Sequence, residues 1–326
     1  MRAISLSLLA ALILLTTPVW AEQTAPLTLY ASTYPLSEFS QRIGGEKVNV
    51  KPILPPGADA HDYEPTARQM LEITRADIFV YNGAGFELWI HKLLKALEGD
   101  HQLTIVNTTE GMDLLAADDD HHHHDHSHGF FSSAWGKVRS LFGHHHHHHH
   151  DHGPDDPHVW LDPTLALQQA QKIHDTLIQL QPEHAPFFSL NFQHLKDELL
   201  ELDRQYTESL RDLTNRHFVV PHKAFSYLAE RYDLEQIAIA GVHPGSEPSQ
   251  REVMAIIDFL RANDIGYVFF ETTVSNRVAQ TIATETGAQT LVLNPIENLR
   301  REDLAAGQTY FSLMRKNLEN LLIALK

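Results

Sequence analysis

No cysteine occurs among the 326 residues. That excludes a disulfide framework and any thiolate metal site, so a transition metal here must be held by His, Asp or Glu. Cations are scarce beside anions: 25 Lys and Arg against 42 Asp and Glu leave a formal net charge of −17. A balance that acidic argues against nucleic acid and anionic membrane surfaces as partners. Neither the HExxH pair of zinc proteases nor a GxSxG nucleophile elbow is present. Beyond the N-terminus no apolar run reaches the roughly 20 residues that span a bilayer. What the chain has in excess is histidine, 24 residues of it.

The N-terminus reads as a secretory signal, residues 1–21. Arg2 supplies the positive end, Ala3 to Leu15 is the apolar stretch, and Val19-Trp20-Ala21 suits cleavage before Glu22. The apolar stretch is about 13 residues, short for a membrane span. With no Cys after the cleavage site, a lipid anchor of the bacterial type is excluded, and a soluble periplasmic location is the expectation.

From Leu27 onward, strand-like and helix-like segments alternate. Apolar β-rich runs at 27–33, 48–54, 77–81 and 103–108 are separated by helical patterns at 35–43, 65–75 and 86–97. This rhythm predicts a mostly parallel sheet flanked by helices. A long amphipathic helix is expected over 183–213, with Leu190, Leu195, Leu199, Leu202, Tyr206, Leu210 and Leu213 as its apolar stripe. The rhythm then repeats to the C-terminus. The expected organisation is an α/β fold of two lobes, 22–182 and 214–326, joined by one rigid helix, with a ligand site in the cleft between them.

Residues 118–156 interrupt the pattern. Fourteen of the 24 His fall here: His121 to His124, His126, His128, His144 to His150 and His152. A tract of that composition cannot bury a core and is expected to stay loosely ordered. Within it, Phe130, Phe131, Ala134, Trp135, Val138, Leu141 and Phe142 have the spacing of one apolar face of a short helix. Neutral imidazoles in a flexible tract can capture metal, but they must be ordered on binding, so extra sites here should be weaker than a preorganised one.

Ligands of open α/β sheets sit beyond the carboxyl ends of strands. Metal-capable residues expected there are His61, His222, Glu271 and Glu297, with His158 just before a helix. Three His and one carboxylate drawn from both lobes suit four-coordinate Zn²⁺, although neutral imidazole also suits Cu and Ni. Glu297, Glu271 and Asp59 are the candidate carboxylates, with water as the remaining alternative.

Three segments add to that placement. Gly57-Ala58-Asp59-Ala60-His61-Asp62-Tyr63-Glu64-Pro65, Asp156-Pro157-His158-Val159-Trp160-Leu161-Asp162-Pro163 and Val220-Pro221-His222-Lys223-Ala224-Phe225-Ser226-Tyr227-Leu228 resemble, in order, the metal-ligand motifs of the bacterial metal-specific solute-binding proteins of ABC importers. The His- and Asp-rich insertion before the second motif, and His rather than Glu at the third, are similar to the zinc-specific, ZnuA-type branch. The resemblance covers nearly the whole chain after the signal. It implies two α/β lobes bridged by a long helix and one tight zinc site of His61, His158 and His222.

Where many relatives place an Asp after the last strand, this chain has Asn294-Pro295-Ile296-Glu297. A related subgroup with such a segment uses the Glu, so the resemblance carries the fourth ligand to Glu297. Glu271 is then suited to orienting a His ring from behind. The implied function is capture of zinc in the periplasm by a monomer and delivery to an ABC permease. The alternatives are a zinc metalloenzyme, which would need an open coordination position and a base, and a zinc buffer acting without a transporter.

Overall fold

The computed structural model describes residues 25–97, 102–117, 155–242 and 248–326. The signal segment, His101, His243 and residues 118–154, Phe130–Gly143 among them, lie outside the described residues.

Strands form where short apolar runs are cut off by polar or glycine-bearing turns. In the first half these are β1 (Leu27–Ala31), β2 (Val48–Pro52), β3 (Ile78–Tyr81) and β4 (Thr104–Asn107). β3, with sequence IFVY, is buried along its whole length, as an inner parallel strand covered on both faces must be. The strand order is β2-β1-β3-β4, every neighbour parallel, with Leu29 opposite both Val50 and Ile78. Helices α1 (Tyr34–Gly44), α2 (Ala67–Thr74) and α3 (Ile90–Ala96) connect these strands or follow them. Two more helices come next, α4 (Pro163–Leu180) and α5 (Ala185–Leu210).

The second half builds β5 (His217–His222), α6 (Ser226–Arg231), β6 (Glu235–Ala240), α7 (Gln250–Ala262), β7 (Tyr267–Phe270), α8 (Arg277–Thr286), β8 (Gln289–Val292), α9 (Arg301–Ala305) and α10 (Tyr310–Leu325). Its sheet is again parallel, in the order β6-β5-β7-β8. The expected α/β fold, with two parallel sheets flanked by helices and a long joining helix, is the one observed.

Helix α5 differs from its sequence reading in two respects. It has 26 residues, about 39 Å of helix, because Pro182–His184 is a separate 3-10 turn and the helix ends at Leu210. Its buried stripe is Phe188, Phe192, Leu195, Leu199, Leu202, Tyr206 and Leu210. Leu190 is 58% exposed: five residues before Leu195 lies well round the helix from it, whereas Phe192 and Phe188 stand three and seven before it on the same face. This stripe belongs to a single apolar core that takes in Leu29 and Phe39 of the first half and Phe218 and Phe269 of the second. The helix is therefore packed into both sheets' surroundings at once. No described helix is long and apolar enough to cross a membrane.

Candidate metal centre

The sequence-predicted residues lie at or beyond the carboxyl ends of strands, His61 after β2, His222 at the end of β5 and Glu297 after β8, with His158 ahead of α4. His61 is in the loop between β2 and α2, which turns at Gly57 with φ 81°. Its backbone N–H donates to the Asp59 carboxylate at 2.9 Å, and its ring packs edge-on to Phe86 at 4.8 Å. His158 precedes the 3-10 turn Val159–Leu161 that leads into α4. His222 is the last residue of β5. Pro221 before it has no N–H to extend the ladder, and the His222 N–H turns instead to Glu271 Oε1 at 3.3 Å.

Glu297 lies five residues beyond β8, on a segment stitched into the first lobe. The Trp160 indole N–H donates to the Pro295 carbonyl at 2.7 Å, and the Tyr34 N–H to the Glu297 carbonyl at 3.0 Å. Ile296 has φ 58°, a left-handed conformation that a β-branched residue adopts only under constraint. The constraint is visible: Asn294 Oδ1 accepts from the Ile296 N–H at 2.8 Å, and Asn294 is itself held through both backbone groups by the Asn317 side chain. Asn294 thus shapes the loop and offers no atom to the centre.

The structure brings His61, His158, His222 and Glu297 together, with one donor atom from each lying within 4.8 Å of every other. All four are buried. The three imidazoles form a near-equilateral triangle, with ring centroids 5.3, 5.6 and 5.4 Å apart. Glu297 Oε1 lies 3.2 Å from His61 Nε2 and 3.4 Å from both His158 Nε2 and His222 Nε2, while the His61 and His158 Nε2 atoms are 3.3 Å apart. A tetrahedron with bonds of about 2.0–2.1 Å has edges of about 3.3–3.4 Å, and these four of the six donor separations stand at that spacing. His222 Nε2 and Glu297 Oε2 are buried without a hydrogen-bond partner, a costly condition for polar atoms that a cation would relieve.

Carboxylates stand behind two of the rings. His158 Nδ1 is 2.8 Å from Asp156 Oδ1, and His222 Nδ1 is 2.8 Å from Glu271. Each contact holds its ring with Nε2 facing the centre, as metal-bound imidazoles require. Burial presses His222 toward its neutral form, but Glu271 and then Glu297 outweigh it and raise its pKa to about 10. His158 is also raised, burial being outweighed by Asp156 and Glu297. Burial pushes the Glu297 carboxyl up, yet the three imidazoles hold it well below the usual range.

A family model described as ZnuA, zinc-uptake complex component A, periplasmic, matches residues 29–324. The chain belongs to the ZnuA family. The zinc-binding lipoprotein AdcA of Streptococcus pneumoniae is 35% identical over 323 residues, 98% of this chain but 60% of that protein. The chain thus spans about three-fifths of the length of AdcA. The high-affinity zinc uptake system protein ZnuA of Bacillus subtilis is 32% identical over 90% of this chain and 86% of its own length. Among solved structures, the Zn(II)-bound ZnuA-like domain of S. pneumoniae AdcA superposes with a TM-score of 0.73 at 32% identity, covering 92% of this chain and 99% of that one. The family is described by zinc uptake, the AdcA relative by zinc binding and the ZnuA relative by high-affinity zinc uptake.

Glu271 stands behind a His ring, as its strand-end position suggests. Asp59 is used on the backbone of its own loop. Asp156 carries no role in the sequence reading, although it opens the second motif; the signal was an acidic residue two before a candidate His, with a proline between them restricting its backbone.

Proposed function

We propose that this chain binds one Zn²⁺ tightly through His61, His158, His222 and Glu297 in the periplasm and delivers it to an ABC-type import permease. The observation that carries the reading is the spacing of the four buried donors, four of whose six separations match the edges of a zinc tetrahedron. Three neutral imidazoles leave the ion's charge uncompensated in a dry cleft, and Glu297 supplies the anion. With four protein donors the coordination sphere is closed, which suits holding an ion rather than activating water on it. One chain supplies all four donors, so a monomer suffices. Residues 1–21 would direct export and be removed. We read 22–182 and 214–326 as the units that hold the ion between them, and 183–213 as their strut. The His-rich tract within 118–156 acts as a weaker collector, its last residue Asp156 belonging with the tight site.

Competition titration of the mature chain with Zn²⁺ and Mn²⁺ tests this, alongside His61→Ala and a form lacking residues 118–154. One tight zinc equivalent is expected, preferred over Mn²⁺. It should persist in the shortened form, with the weaker equivalents gone, and be lost in His61→Ala. Tight binding by His61→Ala would remove the cleft site and leave a buffer acting through the His tract. Loss of the tight equivalent on shortening would end the collector role. Zinc uptake by cells lacking their own carrier, restored by the parent and not by His61→Ala, tests delivery.

A further inference from the structure

His222 is oriented from within its own lobe, by Glu271 at the end of β7. His158 is not. Its ring and its N–H both bond to Asp156 Oδ1, at 2.8 and 3.0 Å, and the backbone of Asp156 is held from two directions. Its N–H donates to the Leu115 carbonyl at 2.7 Å. Its carbonyl accepts from the Tyr227 hydroxyl, also at 2.7 Å, and that hydroxyl in turn accepts from the Leu115 N–H at 3.0 Å. Tyr227 belongs to α6, five residues after His222 and in the other lobe. Its hydroxyl therefore closes a ring of three bonds around the point where chain 115–117 meets chain 155–156, the Ala116–Asp155 bridge. Next to it Lys223 reaches the Ala117 carbonyl at 2.9 Å.

Among the described residues, the tie on this short segment from its own sheet is the Asn82 amide on the Pro157 carbonyl, at 2.9 Å. Tyr227 is 4% exposed, and burial raises its pKa, so the phenol keeps the proton it donates. A cavity of about 350 Å³ lies against it, lined by Asp113, Leu115, Asp162 and Leu165 among others. The backbone around Leu115, whose carbonyl holds the Asp156 N–H, thus has room to move once the hydroxyl is gone.

We propose that Tyr227 is a positioning residue of the zinc site: from the opposite lobe its hydroxyl fixes Asp156, and through Asp156 the ring of His158 relative to His222. This rests on the reading of the four-donor cluster as the zinc site. The orientation of His158 then depends on how the lobes are set against each other, whereas that of His222 does not.

The test is a cycle of Tyr227→Phe, Asp156→Asn and the double variant, with Lys223→Ala, whose ammonium bonds the Ala117 carbonyl, as a neighbouring comparison. Zinc affinity and dissociation rate are read by chelator competition, and donor geometry by the visible d–d absorption of the Co²⁺ form. Tyr227→Phe is expected to weaken zinc about tenfold, the low end of the range for groups that orient a metal-bound ring. The loss should appear mainly as faster release, with an altered Co²⁺ spectrum. The double variant should bind no worse than Asp156→Asn alone, because Tyr227 acts through Asp156. Lys223→Ala should keep the parent spectrum.

Parent-like affinity and spectrum in Tyr227→Phe, or additive losses in the double variant, overturn the proposal. If Tyr227→Phe lacks a cooperative melting transition, Asp156→Asn, which leaves every contact of Tyr227 in place, carries the spectroscopic test, and a parent spectrum there overturns it equally. His158→Ala separates the two claims. Parent-like zinc binding in that variant removes the site itself, and this proposal with it. Lost binding there beside an unaffected Tyr227→Phe removes the proposal alone.

Discussion

The two lobes repeat one strand order, β2-β1-β3-β4 and β6-β5-β7-β8, yet their donors correspond only in part. His222 ends β5, an inner strand, while the matching strand β1 ends at Ala31 and gives the centre nothing. Glu297 follows the outer strand β8. Beyond its counterpart β4 the chain runs out to residue 117 and returns at 155 before presenting His158. Duplicated topology ensures only that loops gather at a carboxyl edge; which loops carry donors is decided by their own residues. The supports differ too. The ring of His222 is braced within its lobe, whereas the His61 loop is tied to the second lobe by the Asn298 amide on the Pro55 and Ala58 carbonyls, at 2.8 and 2.9 Å, and His158 leans on Tyr227. Glu297 in turn is tied to the first lobe through Trp160 and Tyr34, so His222 alone of the four donors is braced wholly within one lobe.

The largest effect that would sharpen this contrast is on Glu297. Glu297→Ala should lower zinc affinity by more than about 100-fold, whereas Glu271→Ala, which removes only the brace of His222, should cost about 10–100-fold. Calorimetric competition with a chelator compares them, and a larger loss for Glu271→Ala would make Glu271 the fourth donor in place of Glu297.

Acidity comes next. The pKa of His222 is raised to about 10, so the metal-free centre is protonated at neutral pH and zinc must displace that proton. Affinity should rise about tenfold per pH unit for each proton expelled, and calorimetry in buffers of different ionisation enthalpy counts them. The metal-free fold follows the opposite sign. The His222–Glu271 pairing stabilises it fully below the ordinary imidazole value, about 6.5, and that stability is lost as pH rises through about 10. Glu297 and Asp156, both lowered, contribute above the ordinary carboxylate range and lose that contribution as pH falls through their depressed values. A pH-independent zinc affinity would show that the rings are neutral before the ion arrives.

The smallest effect belongs to the helix the lobes share. Leu190→Ala on the exposed face of α5 should change thermal stability by less than about 0.5 kcal/mol. A loss above about 1 kcal/mol would return Leu190 to the buried stripe.

The alternation of elements was legible because apolar runs such as Ile78–Tyr81 are bounded sharply, and a fully buried parallel strand tolerates little else. The stripe of α5 was misread at its start because Leu190 and the two phenylalanines around it are all apolar, and only packing decides among them. His61, His158, His222 and Glu297 could be picked out as candidates by their strand-end positions and motifs. Their mutual distances could not, since residues far apart in sequence carry no spacing signal. Asp156 and Tyr227 were quoted within motifs without a role, because a backbone carbonyl held by a remote hydroxyl leaves no composition or period to read. Helix α9 (Arg301–Ala305) escaped for a simpler reason: a single five-residue turn is too short to show a period.

Burial of the donors has a consequence in time. His158 and His222 are 0% exposed, Glu297 1% and His61 4%, so an ion seated among them touches no solvent. On the proposed function, its departure would then wait for a movement of the protein itself, at a frequency the ion does not set.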